Sequence, residues 1–168
     1  MIELSSTLDK PLPTDSAETA AAKIERAAIL PFRLGEKWYA AFASIVNEVT
    51  LLENYSSLTF APKWLFGIVH HRSEAIAIIN LPDILEDDYV DYPLPASKLI
   101  ILEPDNELVL LPIGLLANEV EPLVTISVND CNPITTGGDL NFAEVIVDSK
   151  KLILIDHLQL YRKLAVGY

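Results

Sequence analysis

Three histidines (His70, His71 and His157) and one thiol (Cys131) are the side chains best suited to nucleophilic, acid–base or metal chemistry. His70 and His71 are adjacent in a stretch that reads as a strand, where neighbouring residues point to opposite faces, so the two rings cannot grip one metal. No HExxH pattern accompanies them, and no Asp or Glu stands at ligand spacing on their strand. One ring inward and one in solvent is the expectation. His157 opens a predicted helix with nothing to act on. Cys131 has no basic residue within eight positions to lower its pKa, and a lone cysteine can form neither an intrachain disulfide nor a thiolate cluster. The Thr135-Thr136-Gly137-Gly138-Asp139 stretch lacks the Lys-Ser/Thr pair of a phosphate-cradling loop and ends in a charge of the wrong sign, so it reads as a turn. The run Asp83, Glu86, Asp87, Asp88, Asp91 lacks the ligand alternation and glycine of an EF-hand, which leaves a solvated connector or a docking surface for a basic partner. No cofactor or metal is expected. Arg72 stands out, as the only lysine or arginine between Lys63 and Lys98, in a tight connection between two apolar runs. It is either a solvated turn arginine or a recognition arginine beside an apolar groove.

The elements that must position these residues are mostly strands. Leu30–Leu34 and Lys37–Ala43 flank Gly35-Glu36 as a hairpin, with Pro31 placing the first strand at an edge or starting it late. Ile45–Leu52 reads as a third strand, and Pro62–Gly67 as one helical turn opened by Pro and closed by Gly. Ile68–His71 and Ala75–Asn80 follow as strands joined at Arg72-Ser73-Glu74, then a short helix from Leu81 and an acidic connector over 86–95. Lys98–Leu102 and Glu107–Leu111 read as a second hairpin around Pro104-Asp105-Asn106. A long loop spans Glu121–Asp139, Lys151–Ile155 is a buried strand, and Asp156 caps a last helix through Leu164. Residues 1–28 read as a mobile N-terminal tail, with a short helix possible over Ser16–Arg26, and 29–168 as the folded unit.

Composition bounds the function. Of the 168 residues, 51% are hydrophobic and only 21% charged, enough to build a substantial core. Twelve basic against twenty-four acidic residues give a net charge of −12, which argues against phosphate backbones and anionic lipid as partners. The N-terminus has no signal-peptide pattern, and the longest apolar stretch, Leu108–Ala117, is broken by Pro112 and Gly114 and falls far short of the ~20 residues of a spanning helix. A cytoplasmic protein without direct membrane insertion is the expectation.

The sequence also echoes itself. Val46-Asn47-Glu48-Val49 recurs as Ala117-Asn118-Glu119-Val120, and Ile78-Ile79-Asn80-Leu81 as Leu154-Ile155-Asp156-His157. Two similar five-stranded units of about 70 residues each are predicted, too small to bury separate cores and therefore sharing one hydrophobic interface.

Three segments make this chain resemble the CheW-like coupling proteins of bacterial chemotaxis, over roughly Ile29–Leu164. Phe32–Tyr39 followed by Val46–Val49 is similar to that family's opening hairpin and next strand. Pro62–Leu81, with Gly67 and Arg72, resembles its most specific stretch, and Leu152–Asp156 its closing strand. This chain departs at His70, Ser73 and Asn80, where the family usually has Asn, Gly and Asp, and it lacks the Asp often found near Gly114–Leu116; it resembles a diverged member. The resemblance implies a mainly β fold of two similar five-stranded β-barrel subdomains, intertwined and with short helices. It also implies no catalysis, and a role as adaptor between chemoreceptors and a CheA-type histidine kinase in a chemotaxis, phototaxis or pilus-motility array, at the cytoplasmic side of membrane receptors. One barrel would bind the kinase regulatory domain, and a groove between the barrels the helical cytoplasmic tip of a receptor. Carried over by position, Val46, Glu48, Gly67 and Arg72 would make these contacts. Two other readings stay open: a β-barrel ligand-binding module with an apolar pocket between the barrels, and an enzyme using His70 or His71 as a base, which would require a carboxylate or metal within hydrogen-bond reach of the ring.

Overall fold

In the computed structural model, residues 26–85, 97–104, 112–135 and 140–166 are described. Residues 1–25 of the expected tail, the whole acidic connector over 86–95, the expected Glu107–Leu111 strand and the turn expected at 136–139 lie outside them, whereas residues 26–28, expected in the tail, begin β1. Twelve strands and two short helices make up the described chain, with single 3-10 turns at Ala43–Ile45 and Val128–Asp130. They run β1 (Arg26–Leu34), β2 (Lys37–Phe42), β3 (Val46–Leu51), β4 (Leu65–His71), β5 (Glu74–Ile79), α1 (Leu81–Leu85), β6 (Lys98–Leu102), β7 (Ile113–Ala117), β8 (Glu119–Val120), β9 (Val124–Ser127), β10 (Asn132–Thr135), β11 (Asn141–Val147), β12 (Lys150–Leu154) and α2 (His157–Val166).

The strands form two sheets, one of seven and one of five. Within the larger sheet lies the path β11-β12-β2-β1-β9, and the smaller sheet runs β4-β5-β7-β6-β3. The two paths have the same pattern: a hairpin, a parallel pairing (β12 with β2, β5 with β7), a second hairpin, and an outer antiparallel strand. The duplication predicted from the sequence is therefore present in the topology, but the two units are not consecutive halves of the chain. Strand β3 follows β2 yet pairs with β6 in the other sheet, and β8 and β9 follow β7 yet pair with β1. Each unit lends its third strand to its twin.

Strand register also corrects one echo. Val46 pairs with Leu102 and Val120 pairs with Phe32, at matching places on β6 and β1, so the structural counterpart of Val46 is Val120 rather than Ala117. The other echo holds. The β4–β5 and β11–β12 hairpins share one register, and their turns, Arg72-Ser73 and Asp148-Ser149, all have positive φ. Two central residues of positive φ are what a mirror-image hairpin turn demands, since only that twist matches the flanking strands. None of the four is glycine.

Several sequence expectations are corrected. β1 is not an edge strand; it has β2 on one side and β8 and β9 on the other. Pro31 is tolerated because its missing N–H faces the break between β9, which pairs with Arg26–Ile29, and β8, which pairs with Phe32 and Arg33. Its carbonyl still accepts from Glu121 N at 2.9 Å on that side. The helical turn at Pro62 ends at once: Leu65 N donates to Pro62 O, and Leu65 already starts β4. The partner of β6 is Ile113–Ala117 rather than Glu107–Leu111, and the loop expected over Glu121–Asp139 contains β9 and β10.

One apolar cluster spans both sheets. On β1 the alternate residues Leu30, Phe32 and Leu34 point into it, together with Tyr39 of β2, Ile78 of β5, Leu99 of β6 and Leu115 of β7. Phe32 and Tyr39 stack with ring centroids 5.6 Å apart. Helix α2 seals one end with Leu160 and Tyr161. The opposite face of β1 and β2 carries Ile29 and Ala40 into a smaller cluster with Ile126, Val145, Leu152 and Leu154. The shared hydrophobic interface expected from the chain length is thus the larger of two cores.

Candidate protein-binding site

Strands β3 and β4 are the two outermost strands of the five-stranded sheet. Side chains nevertheless join them. Glu48 lies on β3 just after a register shift between Val46 and Glu48, a bulge of the kind that re-aims a side chain. Its Oε1 accepts from Arg72 Nη2 at 3.0 Å, and its Oε2 lies 2.8 Å from Nε2 of His71. The carboxylate is therefore shared by two donors from the end of β4 and the turn that follows.

The three groups differ in exposure. Glu48 and His71 side chains are 28% and 25% exposed, whereas Arg72 is 76% exposed. Arg72 also has φ of 51°, in the left-handed region that costs a non-glycine residue about 1–2 kcal/mol. The turn thus holds an arginine at the surface in a conformation it does not intrinsically prefer, oriented by a half-buried acid. The same conformation recurs at Asp148-Ser149, so it belongs to the type of turn, while the contact with Glu48 is particular to Arg72.

Of the other two site residues read from the sequence, Val46 begins β3 and packs half-buried against the main core. Gly67 is buried in β4. A Cβ there would meet Ser56 O at 2.5 Å and the Tyr55 ring at 3.2 Å. Ser56 runs alongside β4 at this point, exchanging backbone hydrogen bonds with Ile68 at 2.8 and 2.9 Å, so Gly67 permits the chain to close on itself. The structure brings Glu48 and Arg72 into contact, whereas Gly67 makes its close approach to the protein's own backbone.

His71 entered the sequence reading only as one of two alternative bases, with no partner acid on its own strand. Its ring is directed at Glu48, and His70 beside it is exposed, so the two point apart as expected of strand neighbours. The acid that meets His71 is 23 residues upstream on another strand, so spacing along its own strand gave no sign of it. A carboxylate within reach of this ring is the condition set for base chemistry. The structure meets it with Glu48, which also pairs with Arg72 and so serves the ring and the guanidinium together.

The remaining candidates behave structurally. Burial raises the pKa of the Cys131 thiol, and the charge of Asp130 adds to it, opposite to what a nucleophile needs. Asp156 caps α2, accepting at Oδ1 from the N–H of Leu158 at 3.1 Å and of Gln159 at 3.3 Å. Its counterpart Asn80 precedes α1 and donates to Asp83 at 2.6 Å. Among the described residues, no group of three or more His, Cys, Asp or Glu could hold a metal ion, and no helix is long and apolar enough to cross a membrane.

Comparison with known proteins bears on this geometry. The family model for the CheW-like domain matches residues 28–164, which takes in both sheets and the Glu48–Arg72 contact. The chain belongs to the CheW-like family. Among solved structures, the CheW-like fold here is similar to the scaffolding protein TtCheW from Thermoanaerobacter tengcongensis, with a TM-score of 0.65 and 22% identity over 77% of this chain and 84% of that one. No curated protein matches.

Proposed function

We propose that this CheW-like protein is a non-catalytic adaptor that couples the cytoplasmic tips of chemoreceptors to the regulatory domain of a CheA-type histidine kinase, working in the cytoplasm at receptor arrays. The observation that carries this reading is Arg72: a largely exposed guanidinium whose orientation is set by Glu48. Such a group is a rigid forked donor, suited to a carboxylate on an amphipathic receptor helix. A scaffold of this kind acts by co-localisation and by shifting populations in the kinase, with no bond made or broken in the adaptor itself. Family membership over 28–164 and the scaffolding role printed for TtCheW support it.

We assign the receptor contact to the Glu48–Arg72 end of the five-stranded sheet, with Val46 and Gly67 beneath it as support, and the kinase contact to a barrel end. A standard interface needs only ~800 Å² per partner, within the capacity of such a surface. The test is capture of the cognate receptor tip by the purified protein: wild type binds, Arg72→Ala does not, and both remain folded. Equal capture by the two proteins would remove Arg72 from the interface.

A further inference from the structure

We infer that His71 is a positioning residue for Arg72: its ring fixes the Glu48 carboxylate, which in turn aims the Arg72 guanidinium at a partner's acidic side chain; this rests on the adaptor reading for its partner. A carboxylate can only accept hydrogen bonds, so at 2.8 Å the hydrogen between His71 Nε2 and Glu48 Oε2 belongs to the imidazole. Glu48 is thereby anchored at one oxygen by a half-buried ring and presents the other to Arg72. Without that anchor the carboxylate could rotate away, and the exposed arginine would lose its fixed direction.

The experiment titrates wild type, His71→Gln and His71→Leu with a receptor-tip coiled-coil fragment by calorimetry at one fixed pH, and NMR of the free protein identifies which ring nitrogen of His71 carries the hydrogen. His71→Gln, which keeps an N–H donor, is expected to bind like wild type, and His71→Leu, which has none, about five-fold or more weaker. The ring hydrogen is expected on Nε2, the nitrogen facing Glu48. Equal binding by wild type and His71→Leu, or a hydrogen on Nδ1 alone, would overturn the inference. If wild type does not bind the fragment, the adaptor reading fails, and the nitrogen that carries the hydrogen still decides whether His71 anchors Glu48. If His71→Leu does not fold, His71→Met, which also lacks a donor, takes its place.

Discussion

Glu48 and Arg72 meet at 3.0 Å although one lies on β3 and the other in the turn just after β4, the two outermost strands of one five-strand path. Their contact ties together parts of the sheet that no ladder hydrogen bond joins. It also orients the most exposed cation of the turn. These two consequences separate experimentally, because an ion pair this exposed stabilises a fold only weakly.

Arg72→Ala should change unfolding free energy by less than about 1 kcal/mol, the usual range for exposed ion pairs. Its effect should fall on receptor capture. Glu48→Gln should weaken capture too, by releasing the guanidinium. Chemical denaturation alongside the binding assay checks both, and an Arg72→Ala protein that unfolds would show the arginine to be structural instead.

Gly67→Ala tests the packing under the site. A methyl group would sit 2.5 Å from the backbone oxygen of Ser56, which has no rotamer to escape through. Moving the 54–56 segment breaks its two hydrogen bonds to Ile68, and we expect a loss of roughly 1–3 kcal/mol, as for other overpacked sites. The readout is the denaturation midpoint. A midpoint equal to wild type would mean that Ser56 does not lie against β4.

Asp156→Ala removes the cap of α2. Two backbone N–H groups lose their acceptor, costing about 1 kcal/mol. Because Leu160 and Tyr161 are buried in the main core, the loss should appear in global stability rather than as local fraying. Asp156→Asn should recover most of it. A substitution without effect would show that solvent satisfies the helix end.

Cys131 should alkylate slowly. Its raised pKa leaves less thiolate at pH 7.5 than an ordinary thiol has, so its rate should keep climbing at pH values where free cysteine levels off. Timed iodoacetamide labelling of native and denatured protein measures this. Native labelling as fast as free cysteine would contradict the assigned burial and the influence of Asp130.

What could be read from the chain follows from how local each signal was. The hairpins β1–β2 and β4–β5 were legible because short turns separate runs of apolar residues, and α2 because Asp156 precedes it. β9 and β10 were missed since Pro122 and Pro133 punctuate the stretch and β10, paired on one side only, shows little apolar alternation. β7 was passed over because all five of its residues are buried, which leaves no alternation to see. Pro31 misled because its effect depends on a break in neighbouring strands far along the chain. Arg72 stood out by its isolation among apolar runs and Glu48 was named from the family resemblance, but their contact was not foreseen, and His71 gave no local sign of joining them. The exchange of β3 and β9 between sheets likewise lies in pairing alone.

The central claim is that this CheW-like chain joins two proteins through its surface. Size-exclusion chromatography of the kinase regulatory domain and the receptor tip, with and without this protein, tests it most directly. The account predicts a three-component complex that forms only when the chain is present and is lost with Arg72→Ala. Failure of the wild-type chain to bind either partner at about tens of micromolar, a range in which weak signalling contacts are still detectable, would contradict it.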